Sequence, residues 1–252
     1  MFDTHLHLVN EDYDNIDKVI EDANEAGVSY LILGGCSKGD NISNIALCKE
    51  YSNLFTTVGY HPSEVNSLDD SDFLLLEKQI CDNKDKVLGL GEIGLDYHYG
   101  KDDRKLQIEV FKKQLSIAKK YKLPVIIHTR DAMQETYDIL KDSGVNGIIH
   151  CFSGSKDMAD KFIELGFYLG IGGVVTFSNS KLGDVVKEIN LSHIVLETDS
   201  PYLSPFRGER NEPKNIKVIA EKIAFIKGLS VDEVAKITSD NVRILFDLDD
   251  KI

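Results

Sequence analysis

Residues 89–97 of the chain read GLGEIGLDY, a glycine-rich stretch with a carboxylate at its centre. Gly89, Gly91 and Gly94 fit the G-x-G-x-x-G pattern of a dinucleotide-binding turn, in which backbone N–H groups approach an anion at the N-terminus of a helix. Glu92 would repel that anion, and no convincing helical pattern follows directly. We therefore interpret the acid as the functional group of the stretch, with the flanking glycines leaving room around it.

The stretch ends one of several apolar, β-branched runs that alternate with amphipathic sequence of helical period, a pattern typical of repeated βα units. Eight strands are predicted, near residues 2–8, 29–34, 55–60, 87–92, 124–129, 147–151, 167–172 and 194–198. Eight parallel strands in about 200 residues predict an α/β fold of the (β/α)8 TIM-barrel type. A doubly wound open sheet is the alternative.

Residues typical of helix ends occur where this alternation requires them. Gly27, Gly144 and Gly166 each follow a helical run and precede a strand, where a left-handed residue would close the helix. Ser230 and Glu233 have capping-box spacing, which predicts a further helix that covers the bottom or the side of the barrel.

Bulk composition is that of a globular protein, with 42% hydrophobic and 28% charged residues among 252. We predict one domain over residues 1–252. The net charge of −13 argues against an extended basic surface for nucleic acid, although cations gathered in one cleft would still accept a phosphate. Residues 1–8 lack a basic, apolar signal region, and no apolar run is long enough to span a membrane. We expect a cytoplasmic protein without membrane contact or an obligate protein partner.

Cysteine spacing excludes the common two-cysteine motifs. Cys36, Cys48, Cys81 and Cys151 lie far apart without a C-x-x-C pair, so neither a zinc ribbon nor a redox dithiol is indicated. We expect reduced, mostly buried thiols.

Residue types with metal affinity recur at the predicted carboxyl ends of the strands, where barrel enzymes build their active sites. His5 and His7 share one face of the first strand because side chains alternate along a strand. Together the candidate ligands number six and come from five strands: His5, His7, Glu92, His128, His150 and Asp199. A single histidine at such a position is commonly a hydrogen-bonded core residue, but the full set is harder to explain in this way.

Six such ligands exceed what one tetrahedral ion uses and suit two neighbouring divalent cations with a water between them. Glu92 is the natural bridge, because its strand lies between the early and the late ligands. Mixed imidazole and carboxylate donors accommodate Mg, Mn or Zn.

The chain resembles the TatD-type metal-dependent deoxyribonucleases over residues 1 to about 246, on six blocks that occur in order. The blocks are DTHLH (3–7), GYHP (59–62), GEIGLDY (91–97), HTR (128–130), HCFSG (150–154) and ETDSPY (197–202). The resemblance implies a TIM barrel with a two-metal centre that hydrolyses phosphodiester bonds of DNA, as a 3′–5′ exonuclease or a less specific nuclease. It further implies that His5, His7, Glu92 and Asp199 hold one metal and that Glu92, His128 and His150 hold the other, with Mg²⁺ expected.

Further roles follow from these positions. Asp199 is placed to orient the attacking water and take its proton, and Glu197 is either a second base or a support for a neighbouring ligand. His61, Arg130 and Arg210 are candidate substrate-binding residues that would meet a phosphate. Because the chain is acidic, we expect a short footprint on single-stranded or frayed 3′ ends of DNA.

Two rival functions remain open at this point. The first is an amidohydrolase-like enzyme that cleaves a cyclic amide, an ester or an aminoacyl linkage to RNA. The second is a binding protein that keeps the barrel without turnover, although such a protein gains little from two buried cations.

Overall fold

Eight parallel strands alternate with helices in the computed structural model, which describes residues 1–9, 12–100 and 102–248. The strands are β1 (Phe2–Leu6), β2 (Tyr30–Leu33), β3 (Leu54–Val58), β4 (Val87–Asp96), β5 (Val125–Arg130), β6 (Gly147–Ile149), β7 (Phe167–Ile171) and β8 (Ile194–Leu196). The helices are α1 (Ile16–Glu25), α2 (Lys38–Glu50), α3 (Asp70–Asp82), α4 (Arg104–Tyr121), α5 (Met133–Leu140), α6 (Lys156–Glu164), α7 (Leu182–Glu188), α8 (Ile216–Lys227) and α9 (Val231–Phe246). The end of the predicted domain, residues 249–252, lies outside the described residues, and its extent stays a prediction.

The strands follow one another in sequence order around the sheet, and β8 lies in contact with β1. The Asp199 N–H donates to the carbonyl of His5 at 2.9 Å, and the His7 N–H donates to the carbonyl of Ser200 at 2.7 Å. We call this junction of β1 with the segment after β8 the seam. The buried Asp3 carboxylate stabilises it by accepting the Thr198 N–H at 2.9 Å and the Thr198 hydroxyl at 2.5 Å. A doubly wound sheet would place β1 in its interior, so the barrel prediction is confirmed.

Most of the predicted helix-ending residues lie at the ends of helices in the structure. Gly27 and Gly166 adopt φ values of +84° and +87°, each one residue beyond a helix cap, as predicted. Gly144 also has a positive φ, but α5 already ends at Leu140 and a turn intervenes. The predicted capping box at Ser230 is present, with Ser230 and Glu233 bonding each other's backbone N–H groups. Among the described residues, no helix combines the length and apolar character needed to cross a membrane.

The C-terminal helix closes the end of the barrel at which the strands begin. One buried residue from every strand except β7 joins a small apolar cluster with α9 and the residue Leu248 that follows it: Phe2, Ile32, Phe55, Leu88, Ile126, Ile148, Val195, Val242, Leu245, Phe246 and Leu248. Neighbouring strand residues belong to the main core between the barrel and its helices, so this second cluster faces inward. The opposite end, at which the strands finish, is left for polar side chains.

Strand β4 differs from the prediction in length and in the purpose of its glycines. It was predicted to end at Glu92 but continues to Asp96, and its pairing with β5 is irregular between Leu90 and Ile93. A β-bulge at this position changes the direction of the side chains within it, among them that of Glu92. A Cβ on Gly91 would lie 2.6 Å from Cβ of Ile126, and one on Gly94 would overlap the His128 carbonyl. The glycines therefore make room for β5 and not for the polar centre.

Candidate metal centre

The carboxylate of Glu92 lies at the centre of a cluster of imidazoles, and its two oxygens face different groups. Oε2 lies 3.2 Å from Nε2 of His5 and 3.9 Å from Nε2 of His7. Oε1 lies 2.6 Å from Nδ1 of His128 and 3.8 Å from Nε2 of His150. The two oxygens of Glu92 therefore contact different pairs of histidines.

Asp199 completes the side of the cluster that β1 supplies. Its Oδ1 lies 3.6 Å from Nε2 of His7, 3.9 Å from Nε2 of His5 and 3.7 Å from Nε2 of His150. The residue has φ +56°, in the left-handed region that aspartate tolerates better than most residues. All six predicted ligands are therefore brought together, although they come from positions as far apart as 5 and 199.

The donor atoms on this side have the spacing that a cation requires. Two ligands of one tetrahedral zinc, with bonds of about 2.0–2.3 Å, lie about 3.3–3.8 Å apart. Nε2 of His5 and Nε2 of His7 are 3.2 Å apart, and the separations to Glu92 and Asp199 given above are within a few tenths of an ångström of that range. Two ring nitrogens at this distance need a proton or a cation between them, so the chemistry of the set fits a divalent ion.

The part of the cluster around His128 is arranged differently. The 2.6 Å separation of His128 and Glu92 is a hydrogen-bond length, shorter than the separation of two ligands on one ion. Nε2 of the same ring lies 3.2 Å from Oδ2 of Asp96. His128 is thus held between two carboxylates.

Burial and charge change the pKa values of the cluster in opposite directions. Burial lowers the pKa of His5, and the charge of His150 lowers it further. Burial also acts against protonation of His150, but the carboxylates of Glu197, Glu92 and Asp199 outweigh it and raise its pKa to about 10. Because ligating imidazoles are neutral, a bound cation would take the place of these protons in balancing the carboxylates.

Two carboxylates contact His150 and His128 at the ring nitrogens that face away from Glu92. Glu197 is fully buried; its Oε1 accepts the Cys151 N–H at 2.5 Å and lies 3.2 Å from Nδ1 of His150. Asp96 occupies the equivalent position for His128. Such partners orient a ligating ring and raise its basicity. The sequence indicated this role for Glu197 as one of two options, whereas the function of Asp96 depends on the unpredicted extension of β4.

Two cysteines border the cluster, although the sequence predicted only ordinary buried thiols at these positions. Sγ of Cys36 lies 3.3 Å from Oε2 of Glu92, and Sγ of Cys151 lies 3.6 Å from Oδ2 of Asp199. Burial, followed by the nearby carboxylates, raises the pKa of both thiols well above the usual range. Spacing along the sequence gave no indication of either contact.

The loop after β3 places His61 beside Glu92. Two buried amides hold it: Asn41 bonds both the N–H and the carbonyl of Gly59, and Gln114 does the same for Tyr60. Nε2 of His61 lies 3.8 Å from Oε1 of Glu92. Nδ1 accepts the N–H of Ser63 at 3.1 Å, so the neutral ring carries its proton on Nε2, directed into the centre.

The two predicted arginines lie farther out, and both are exposed. The guanidinium of Arg130 covers the ring of Tyr99 at 5.5 Å. Burial acts to raise the pKa of Asp96, but the contacts with His128 and the His98 N–H, together with the charge of Arg130, outweigh it and lower that pKa. The guanidinium of Arg210 covers the ring of Tyr13 at 5.7 Å. Tyr202, 59% exposed, meets the ring of His7 edge-on at a centroid distance of 6.2 Å.

Comparisons with known proteins agree with this geometry. The profile of the TatD related DNase family matches residues 2–247. The chain is 40% identical over 253 residues to the uncharacterized metal-dependent hydrolase YabD of Bacillus subtilis (strain 168), covering 98% of each protein. It is 34% identical over 259 residues to human deoxyribonuclease TATDN3, covering 98% of the chain and 94% of the human protein. The crystal structure of YJJV, a TATD homolog from Escherichia coli K12, superposes with a TM-score of 0.89 at 30% identity, covering 98% of each chain.

Proposed function

Since the chain belongs to the TatD related DNase family, we propose that it is a divalent-metal-dependent deoxyribonuclease. It hydrolyses phosphodiester bonds of DNA, removing nucleotides in the 3′–5′ direction from single-stranded or frayed ends. The observation that carries the proposal is the central Glu92, whose two oxygens face separate groups of imidazoles.

Each donor has a distinct task in this proposal. His5, His7 and Asp199 would hold one cation, His128 and His150 would hold a second, and Glu92 would contribute to both. When bound, two divalent ions, Mg, Mn or Zn, lower the pKa of a water and neutralise the oxygens of the scissile phosphate. Asp199 orients that water and accepts its proton, because its carboxylate is directed into the centre from the end of the barrel.

Glu197 and Asp96 are positioning residues for His150 and His128. Glu197 is fully buried and 3.2 Å from the far nitrogen of His150, so it acts through that ring. The burial of Glu197 and its distance to His150 favour a role in positioning His150. They argue against the role of a second base, which the sequence left open.

The substrate is recognised at the rim. The Nε2–H of His61 is placed to donate to a phosphate oxygen, since Nδ1 is engaged by Ser63. Arg130 and Arg210 attract the phosphate backbone of the DNA. The exposed rings of Tyr99 and Tyr202 offer surfaces on which unpaired bases stack. The net charge of −13 argues against many phosphate contacts along a long duplex and favours a short footprint on single-stranded ends. The cytoplasmic location and the lack of an obligate protein partner stay predictions.

An assay with end-labelled single-stranded and duplex DNA tests the proposal in the presence of Mg²⁺, Mn²⁺ or Zn²⁺. We expect 3′–5′ shortening of the single strand by the native protein, and loss of activity in Glu92→Ala and Asp199→Ala. Equal degradation by all three proteins would remove these residues from the mechanism. Hydrolysis of a lactone, cyclic amide or aminoacyl-RNA without hydrolysis of DNA would favour the amidohydrolase-like alternative.

A further inference from the structure

The thiol of Cys36 lies among donor atoms of the metal centre. Its sulfur is 3.3 Å from Oε2 of Glu92, the oxygen that also faces His5 and His7. One donor atom each from His7, Cys36 and Glu92 can be chosen so that all three lie within 4.8 Å of one another. Three donors at this spacing can reach one cation.

The backbone around Cys36 is fixed on both sides, so this placement does not depend on the weak thiol contact alone. The carbonyl of Gly35 accepts the N–H of Glu92 at 2.6 Å. The carbonyl of Cys36 accepts the N–H of His61 at 2.8 Å. These two bonds join the end of β2 to the bulge of β4 and to the loop after β3.

We propose that Cys36 is an additional ligand of the cation held by His7 and Glu92, and that its sulfur makes this position selective for Zn²⁺ over Mg²⁺. The inference rests on the metal centre of the proposed function. Thiolate is a soft ligand that suits zinc and cobalt, whereas Mg²⁺ takes oxygen ligands almost exclusively. The sulfur–metal bond forms as the thiol proton leaves to solvent, without a change of oxidation state.

The second thiol at the rim is placed less favourably. Sγ of Cys151 contacts Oδ2 of Asp199, whereas the histidines face Oδ1 of that carboxylate. Its sulfur can be grouped within 4.8 Å of one donor atom each from His150 and Glu197, a set that shares no residue with that of His7, Cys36 and Glu92. Cys151 provides a matched control, and the exposed Cys81 on α3 controls for metal capture by a surface thiol.

Titration of the metal-free protein with Co²⁺ tests the proposal without DNA or turnover. We expect a near-ultraviolet thiolate-to-cobalt charge-transfer band in the native protein, absent from Cys36→Ser and retained in Cys151→Ser and Cys81→Ser. Competition titrations should give a Zn²⁺ affinity at least about tenfold weaker in Cys36→Ser, with Mg²⁺ affinity unchanged. Circular dichroism checks that each variant is folded.

Absence of the band from the folded native protein would overturn the proposal, with no variant needed. Its persistence in Cys36→Ser, or an unchanged Zn²⁺ affinity in that variant, would overturn it as well. Because these measurements need no substrate, a protein that shows the band but does not cleave DNA would refute the proposed function and leave the ligand assignment standing.

Discussion

Replacing Asn41 with alanine should destabilise the protein by about 2–6 kcal/mol. The Asn41 side chain is fully buried, and it accepts the N–H of Gly59 and donates to the carbonyl of Gly59, both at 3.1 Å. Alanine would leave both backbone groups without these partners, and each buried unsatisfied group costs about 1–3 kcal/mol. The sum is a large part of the roughly 5–15 kcal/mol that holds a typical domain folded.

Urea unfolding followed by circular dichroism measures the loss. Asn44→Ala is the matched control, because the buried Asn44 amide makes one such bond, to the carbonyl of Gly34 at 3.1 Å. We expect its cost to be about half that of Asn41→Ala. A loss below about 1 kcal/mol in Asn41→Ala, or equal losses in both variants, would refute the assignment of the effect to two backbone bonds.

Three other substitutions address separate parts of the molecule. Gly170→Ala places a methyl group where the Glu197 carboxylate lies, so it should displace this support of His150 and weaken cation binding by about 10- to 100-fold in a metal competition titration. Tyr202→Ala should raise KM for single-stranded DNA by about 5- to 150-fold, equivalent to one lost base stack, with little change in kcat. Ser230→Ala removes the N-cap of α9 and should cost about 1 kcal/mol in denaturant unfolding.

Each of these three substitutions has a control substitution with a smaller expected effect. Gly172→Ala brings a methyl group only to within 3.4 Å of the Glu197 carbonyl, and equal weakening in both glycine variants would contradict the steric argument. Tyr202→Phe should keep the native KM; a rise there would indicate that the hydroxyl, and not the ring, is recognised. Ser230→Asp should retain the stability that alanine loses, and the cap assignment fails if the two substitutions are equally destabilising.

The barrel and the gathering of ligands were predictable because both depend on simple rules. Alternating apolar runs give strands and helices, and residues that end parallel strands meet at one end of a barrel. His5, Glu92 and Asp199 could therefore be placed together from their positions alone. Their mutual distances could not, because these depend on how β8 closes onto β1.

Local irregularities are what the sequence pattern does not reveal. The bulge in β4 and its continuation to Asp96 break the period-two pattern, so the partner of His128 was not recognised. The contact of Cys36 with Glu92 depends on a short loop after β2, to which periodicity does not apply. The direction of the His61 proton depends on the backbone of Ser63. Each of these is a loop or bulge geometry fixed by tertiary contacts.

The seam between β1 and β8 has a bearing on biosynthesis. Asp3 and Thr198 are separated by 195 positions along the chain, and the histidines that precede the seam acquire Asp199 as a neighbour only when it forms. A nascent polypeptide leaving the ribosome therefore displays His5 and His7 long before their carboxylate partner has been translated. In the proposed metal centre, a cation could therefore gain its full set of ligands only after synthesis is complete and β8 has closed onto β1.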